Sequence, residues 1–425
     1  MGRALLATVL LAGLAIRLAL ALSVDRPLVS DERDYDALAW TLATTGRYSA
    51  DGHPTAYRAV GYPAFVAGVY SVAGRSPRVV RVVQSVFDTA TGLLLFVALR
   101  RRSRPAALAA AAIWALYPPA IATTTLLYSE SLFGFLLVLA AVGLLEEPGR
   151  SPRYRVALGA LFGVLALMKV AALYLFALLP WLAMRGDRKW TRAALLLAGF
   201  LLVVTPWLWR NARVAGAPTL AFSSASAFLI ANHPNATGGY APDIPEAMRP
   251  RAADEAGAAR EASRAAWSYI RAYPDRFLVG IAKSWAHVFL GEGELAVLAF
   301  HPNPADPATP YRAKARELGA RTLLPLWIPY ALCLLAGAAG FLTRRWDPLS
   351  GAFLALAAAW LLVHGITFGG SRFHAPWMPF LAAFAAERWA RAPETRPLRG
   401  ARLAAWALFA TLCLVLWGFE ASLYF

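Results

Sequence analysis

The chain has 425 residues, 59% of them hydrophobic and 16% charged, with a formal net charge of +17 and a mean hydropathy of +0.49. A soluble domain carries about 25% charged residues, so this composition excludes a chain covered by its own polar surface. On a soluble protein the positive excess would suggest nucleic acid, but here the charge follows the alternation of loops between apolar runs, and no nucleic-acid partner is expected.

Apolar runs long enough to cross a bilayer recur along the whole chain. The first, Ala4–Leu22, has the bulk of a signal peptide, but no small-residue cleavage site follows it and the chain stays hydrophobic, so it reads as a retained first helix. Spans are predicted at about 4–22, 79–99, 105–121, 125–145, 154–168, 170–184, 191–209, 324–343, 350–368, 372–390 and 401–422. The shorter run Gly61–Gly74 reads as a span, a re-entrant piece or an interfacial helix, and 277–300 carries the same ambiguity. The expected fold is therefore all-α, a polytopic transmembrane bundle of about 11 spans, or about 12–13 if the ambiguous runs cross. Cys333 and Cys413 fall inside apolar runs and read as small buried hydrophobes, with no disulfide implied.

The loops orient the bundle. One alternating set holds Arg3, Arg100, Arg101, Arg102, Arg104, Arg150, Arg153, Arg155, Arg185, Arg188, Lys189, Arg192, Arg344, Arg345, Arg388, Arg391, Arg396, Arg399 and Arg402. The opposite short loops, around 118–125, 168–171 and 369–373, carry only Lys169 and Arg372. The positive-inside rule assigns the first set, with the N-terminus, to the cytoplasm and the C-terminus to the outside of an inner or plasma membrane. Two long segments, 23–78 and 210–323, then lie on the periplasmic or extracytoplasmic side. Each bears an amphipathic helix: Tyr35–Thr44 in the first, and Ala252–Tyr273, with Trp267, Ile270 and Tyr273 on one side, in the second.

The polar residues that could carry chemistry gather at that outer face. Ser30-Asp31-Glu32-Arg33-Asp34-Tyr35-Asp36 is dense in carboxylates at the membrane boundary. It reads either as a solvated lead into a helix or as the seat of a general base, since a carboxylate against an apolar wall has a raised pKa. Tyr57-Arg58-Ala59-Val60-Gly61-Tyr62-Pro63 sets Arg58 at the headgroup level, where it either snorkels to lipid or grips a substrate phosphate through its fork. Gln84 and Asp88 share one face of an apolar helix, as a functional pair or as helix–helix glue. Glu130 sits near an outer mouth, and Lys169 at an outer turn either snorkels or contacts phosphate. Asn232 and His233 open a loop rich in turn formers, Asn235-Ala236-Thr237 is a weak glycosylation sequon, and Gly370-Ser371-Arg372-Phe373-His374 lies on the outer edge. No P-loop, dinucleotide fingerprint or Cys/His metal spacing is present in the sequence.

In their shared order, these strings together with Tyr117-Pro118-Pro119, Leu127-Tyr128-Ser129-Glu130, Thr205-Pro206-Trp207 and Arg210-Asn211 resemble the membrane-embedded GT-C glycosyltransferases. The branch is that of the lipid A aminoarabinose transferase, the protein O-mannosyltransferases and the lipopolysaccharide-core sugar transferases. The resemblance covers about residues 1–390, read as the catalytic domain, with 391–425 as a basic linker and a last helix. The chain departs from the family at Ala59 and Val60, where Pro is usual, at Met168-Lys169-Val170, where Thr-Arg-Pro is common, and at Arg372-Phe373-His374, where Arg-Tyr-Arg is common. The resemblance implies an inverting glycosyltransferase that moves a sugar from a polyprenyl-phosphate carrier to a hydroxyl of a lipid, glycan or protein acceptor. Asp31 is the implied base, with Glu32 and Asp34 as alternatives, and Tyr35, Arg58, Tyr62, Gln84, Asp88, Glu130, Lys169, Asn232, His233 and Arg372 bind substrate. No particular cofactor is implied beyond a divalent ion, with Glu130 or His233 as candidate ligands, that could share the leaving-group charge. The competing reading is a transporter or flippase of lipid-linked glycans, which would favour repeat symmetry and polar sites at mid-membrane. A third is a scaffold without catalysis.

Overall fold

The computed structural model describes residues 2–147, 149–176, 189–304, 309, 311–393 and 395–424. Its helices run α1 Gly2–Ser23, α2 Asp31–Thr45, α3 Gly61–Ala73, α4 Pro77–Leu99, α5 Arg104–Ala115, α6 Pro118–Thr123, α7 Glu130–Glu146 and α8 Pro152–Met168. They continue as α9 Lys189–Val214, α10 Ser223–Ala231, α11 Glu255–Ala272, α12 Pro274–Val288, α13 Gly293–Phe300, α14 Tyr311–Thr343, α15 Pro348–Ile366, α16 Met378–Trp389 and α17 Ala401–Tyr424. A two-residue hairpin, Ser49–Ala50 against His53–Pro54, is the β-structure among the described residues.

The protein is a multi-pass helical membrane protein. Among the described residues, six helices (α1, α4, α9, α14, α15 and α17) are long and apolar enough to cross a bilayer. Their outward faces are apolar, as lipid requires: Leu202 on α9 and Leu408, Leu412, Val415 and Phe419 on α17 are each more than 60% exposed. Helix starts follow local chemistry. Ser76-Pro77, Ser103-Arg104-Pro105, Ser151-Pro152 and Asp347-Pro348 each set a proline in the first turn behind a side chain that accepts a backbone N–H. Where α8 meets α9, Gly199 faces the Val156 carbonyl so closely that a Cβ would lie 1.9 Å from it. Close backbone approach of this kind is how helices associate without a hydrophobic drive.

Several predicted spans are subdivided. The 105–121 run splits into α5 and α6, because Pro118-Pro119 cannot continue a helix. The 125–145 run becomes helical only at Glu130, and 372–390 opens with a 3₁₀ stretch, Ser371–Trp377, before α16. α14 reaches back to Tyr311 across a break at Gly319, whose φ is 64°. The 277–300 run is two helices, α12 and α13, and α3 has 13 residues, so at about 20 Å it is too short to span. The 170–184 span falls partly outside the described residues. On α11 Ala256, Ala262, Ala266 and Ile270 are buried, while Trp267 and Tyr273, which flank Ile270 on the helix surface, stay exposed.

Candidate active site

Helix ends and the segments that connect them surround a cavity of about 1110 Å³. Of the residues singled out from the sequence, Asp31, Tyr35, Arg58, Glu130, Lys169 and Arg372 line it, together with Asp34.

Residues from three later parts of the chain, Arg210, Phe222 with Ser223, and Glu255, hold the segment before Arg58 in place. Phe222 and Ser223 donate their backbone N–H to the carbonyls of Ala56 and Tyr57, both at 2.9 Å. Glu255 accepts from the Ala56 N–H at 2.7 Å and from the Thr55 hydroxyl. Arg210 donates to the carbonyls of Thr55 and Tyr48, each at 2.6 Å. Just beyond, Gly61 sits against α8, where a Cβ would come within 2.7 Å of the Leu167 carbonyl. That contact brings the arginine turn beside Lys169.

Asp31 is the first residue of α2, and the preceding Ser30 has a φ of 49°, a strained conformation for a residue with a Cβ. Both carboxylate oxygens of Asp31 are engaged. Oδ1 accepts from Arg58 at 2.8 Å and Oδ2 from Arg372 at 2.8 Å. Arg58 also donates to Asp34 from Nη2 at 2.7 Å and from Nε at 3.0 Å. Burial pushes the Asp31 pKa up, but the charges of Arg372 and Arg58, the Arg372 hydrogen bond and the charge of Lys169 outweigh it, so the carboxyl is held below its ordinary value. The raised pKa expected from an apolar wall is thus corrected: opposite charges decide the direction. Arg372 lies 4.9 Å from the Tyr128 ring centre and 3.8 Å from Glu294, whose other oxygen accepts from Ser371 at 3.3 Å. Lys169 donates to Glu130 at 3.0 Å. The Tyr35 ring meets that of Tyr62 edge-on at 5.0 Å, and burial first, then the Asp31 charge, keeps the Tyr35 hydroxyl protonated.

The other candidates do not line the cavity. Glu32 is fully buried and accepts from Arg26 at 2.7 and 3.1 Å, from the Val29 N–H at 3.0 Å and from the Leu127 N–H at 2.8 Å, so it anchors the start of α2. Tyr62 bonds Gln84, which also donates to the Leu126 carbonyl at 2.9 Å. Asn232 donates to the carbonyls of Phe228 at 2.8 Å and Ile366 at 2.9 Å. His233 spends both ring nitrogens, Nε2 on the Ala241 carbonyl at 3.0 Å and Nδ1 on the Asn235 N–H at 3.2 Å. Glu130, paired to Lys169, and His233 are thus both already engaged by protein partners. Among the described residues no three His, Cys, Asp or Glu side chains are grouped to hold a metal.

Asp88 is half of an ion pair inside the bundle. It receives Arg17 of α1 at 2.8 Å, and Arg17 also donates to carbonyls of Gly13, Trp114 and Ala115. Both side chains are nearly inaccessible, at 0% and 3%. Removing one partner strands a buried charge, so Arg17→Ala or Asp88→Ala is expected to destabilise the protein by about 3–5 kcal/mol. Thermal unfolding in detergent measures this, and the apolar double replacement Arg17→Met with Asp88→Leu should recover most of the loss. Two single variants that melt with the parent would contradict the pair's structural role.

The sequence reading did not pick out Glu294, Glu420 and Tyr424 among the lining residues. The last two belong to α17, so the helix assigned beyond residue 390 contributes to the cavity wall. Glu420 accepts the Gly291 N–H at 2.7 Å, which ties that helix to the segment before α13.

Residues 57–209 match the family of dolichyl-phosphate-mannose-protein mannosyltransferases. That stretch contains Arg58, Glu130 and Lys169 but not Asp31 or Arg372. Among solved structures, the chain is similar to ArnT from Cupriavidus metallidurans bound to undecaprenyl phosphate, at 12% identity and a TM-score of 0.48, covering 91% of this chain and 78% of that one. It is also similar to the archaeal oligosaccharyltransferase AglB from Archaeoglobus fulgidus in complex with an inhibitory peptide and a dolichol-phosphate, at 13% identity and a TM-score of 0.47. That match covers 97% of this chain and 54% of AglB, so the chain spans about half the length of the archaeal protein. No curated protein matches the chain.

Proposed function

We propose that the protein is an inverting membrane glycosyltransferase that moves a sugar from a polyprenyl-phosphate carrier to a hydroxyl of a lipid, glycan or protein acceptor. The observation that carries this reading is the convergence of the Asp31 carboxylate with Arg58, Lys169 and Arg372 on a single cavity. The family match over residues 57–209 supports it. Asp31 takes the proton of the acceptor hydroxyl. The acceptor oxygen bonds to the anomeric carbon as the bond from that carbon to the phosphate oxygen breaks. The charge that develops on the leaving lipid phosphate is met by preorganised cations.

The arginine-rich loops orient the chain with its N-terminus in the cytoplasm of an inner or plasma membrane and the cavity on the extracytoplasmic side. The catalytic unit is residues 1–390 joined by α17. Reconstitution with a radiolabelled polyprenyl-phosphate sugar and a panel of acceptors tests the reading. The expected result is label passing from the carrier to an acceptor. Label that crosses the bilayer still attached to its polyprenyl phosphate, with none transferred, would overturn it in favour of a flippase.

A further inference from the structure

Asp31 as it stands is poorly placed to accept a proton. Each of its oxygens already receives a guanidinium, and the two positive charges stabilise its ionised form. Those same arginines are the planar donors best suited to grip a phosphate at the cavity. A lipid phosphate and Asp31 therefore compete for one set of donors.

Building on the transferase reading, we propose that Arg58 and Arg372 form a clamp on Asp31 that the phosphate of the sugar donor opens, so that the base is released only when the donor is bound. The surroundings allow the exchange. Arg58 keeps a second carboxylate, Asp34, at 2.7 Å, and Arg372 has Glu294 at 3.8 Å, so both can swing toward a phosphate without losing all neutralising contacts. Lys169, the third cation acting on Asp31, is itself held by Glu130. Once the guanidiniums lie on the phosphate, an Asp31 oxygen is open to the acceptor hydroxyl and gains basicity at the same moment. After transfer the arginines remain on the lipid phosphate product, and its departure together with loss of the proton from Asp31 resets the clamp. The two events are linked by reciprocity. The factor by which ionised Asp31 weakens phosphate binding equals the factor by which bound phosphate raises the proton affinity of Asp31.

The test measures binding of undecaprenyl phosphate, and separately of inorganic phosphate, to the full-length protein in nanodiscs at neutral pH. Asp31→Asn should bind undecaprenyl phosphate about 5-fold or more tightly than the parent, since it removes the competitor. Asp34→Asn should tighten binding by a smaller factor, because Asp34 shares Arg58 alone, and it supplies the answer if Asp31→Asn does not fold. A gain for both probes assigns the competition to the phosphate group itself, and a gain for the lipid probe alone assigns it to the carrier; either supports the clamp. Unchanged or weaker binding in the variants that fold overturns it, even if Asp31→Asn has lost transfer. Retained transfer by Asp31→Asn would instead refute the role of Asp31 as base.

Discussion

Replacing Asp31 with Asn is expected to reduce sugar transfer by about 10²–10⁴-fold, the range for loss of a positioned general base. The amide is nearly the same size but cannot take up the acceptor's proton. The neighbouring acids separate the candidates for the base. Glu32 is fully buried and already accepts from three groups, so it cannot reach a substrate, and its loss should register as instability. The Asp34 side chain is 45% exposed at the cavity and bonds Arg58, so Asp34→Asn should act mainly on donor binding. A variant set in which Asp34→Asn loses turnover while Asp31→Asn keeps it would move the base to Asp34.

The pH profile adds a second check. Because the Asp31 pKa is held below its ordinary value in the free protein, the carboxylate stays ionised as pH falls toward that range. The acid limb of kcat/KM, which reports the free enzyme, should therefore lie below the range of an ordinary aspartate. The acid limb of kcat, which reports the donor-bound state, should lie higher if the phosphate takes the arginines away. The sugar donor is a phosphodiester and brings no titration of its own near neutrality.

Much of the architecture is legible locally, because a spanning helix is written as a continuous apolar run. The subdivisions are partly legible: Pro118-Pro119 marks the break between α5 and α6, whereas the left-handed turn at Gly319 has no comparable signature in a run of good helix formers. Asp31, Arg58, Lys169 and Arg372 stand out as charges at a membrane edge. Gln84, Tyr62, Asn232 and His233 stand out for a similar reason, polarity amid apolar sequence, yet they serve one another and nearby carbonyls. Sequence position alone does not separate these cases, since in both a polar group avoids lipid. Asp88 is the instructive one: Arg17, inside another span, is the signal that could identify it as half of a pair. The hold of Arg210 and Glu255 on the strand before Arg58 joins residues roughly 150 to 200 positions apart, and nothing in either local string announces it.

Arg372→Ala is expected to lower transfer by about 10²–10³-fold, the loss seen when one preorganised donor to a developing negative charge is removed. The side chain is 22% exposed, lies 4.9 Å from the Tyr128 ring centre and 5.4 Å from that of Phe373, and bonds Asp31, so it is held at the cavity before substrate arrives. Its removal has a second consequence of known sign. Arg372 is the largest influence lowering the Asp31 pKa, opposed by burial, so without it the carboxyl moves upward and the acid limb of kcat/KM shifts to higher pH. Arg372→Lys keeps a charge but loses the planar fork, so it should fall between the parent and Ala in rate while shifting the limb less. Lys169→Ala should cost less than Arg372→Ala, because Lys169 is directed at Glu130 and makes no hydrogen bond to Asp31. A merely structural arginine would depress yield or melting temperature and leave the pH limb where it stands. Parent-like turnover with an unmoved limb in a folded Arg372→Ala protein would remove Arg372 from the site.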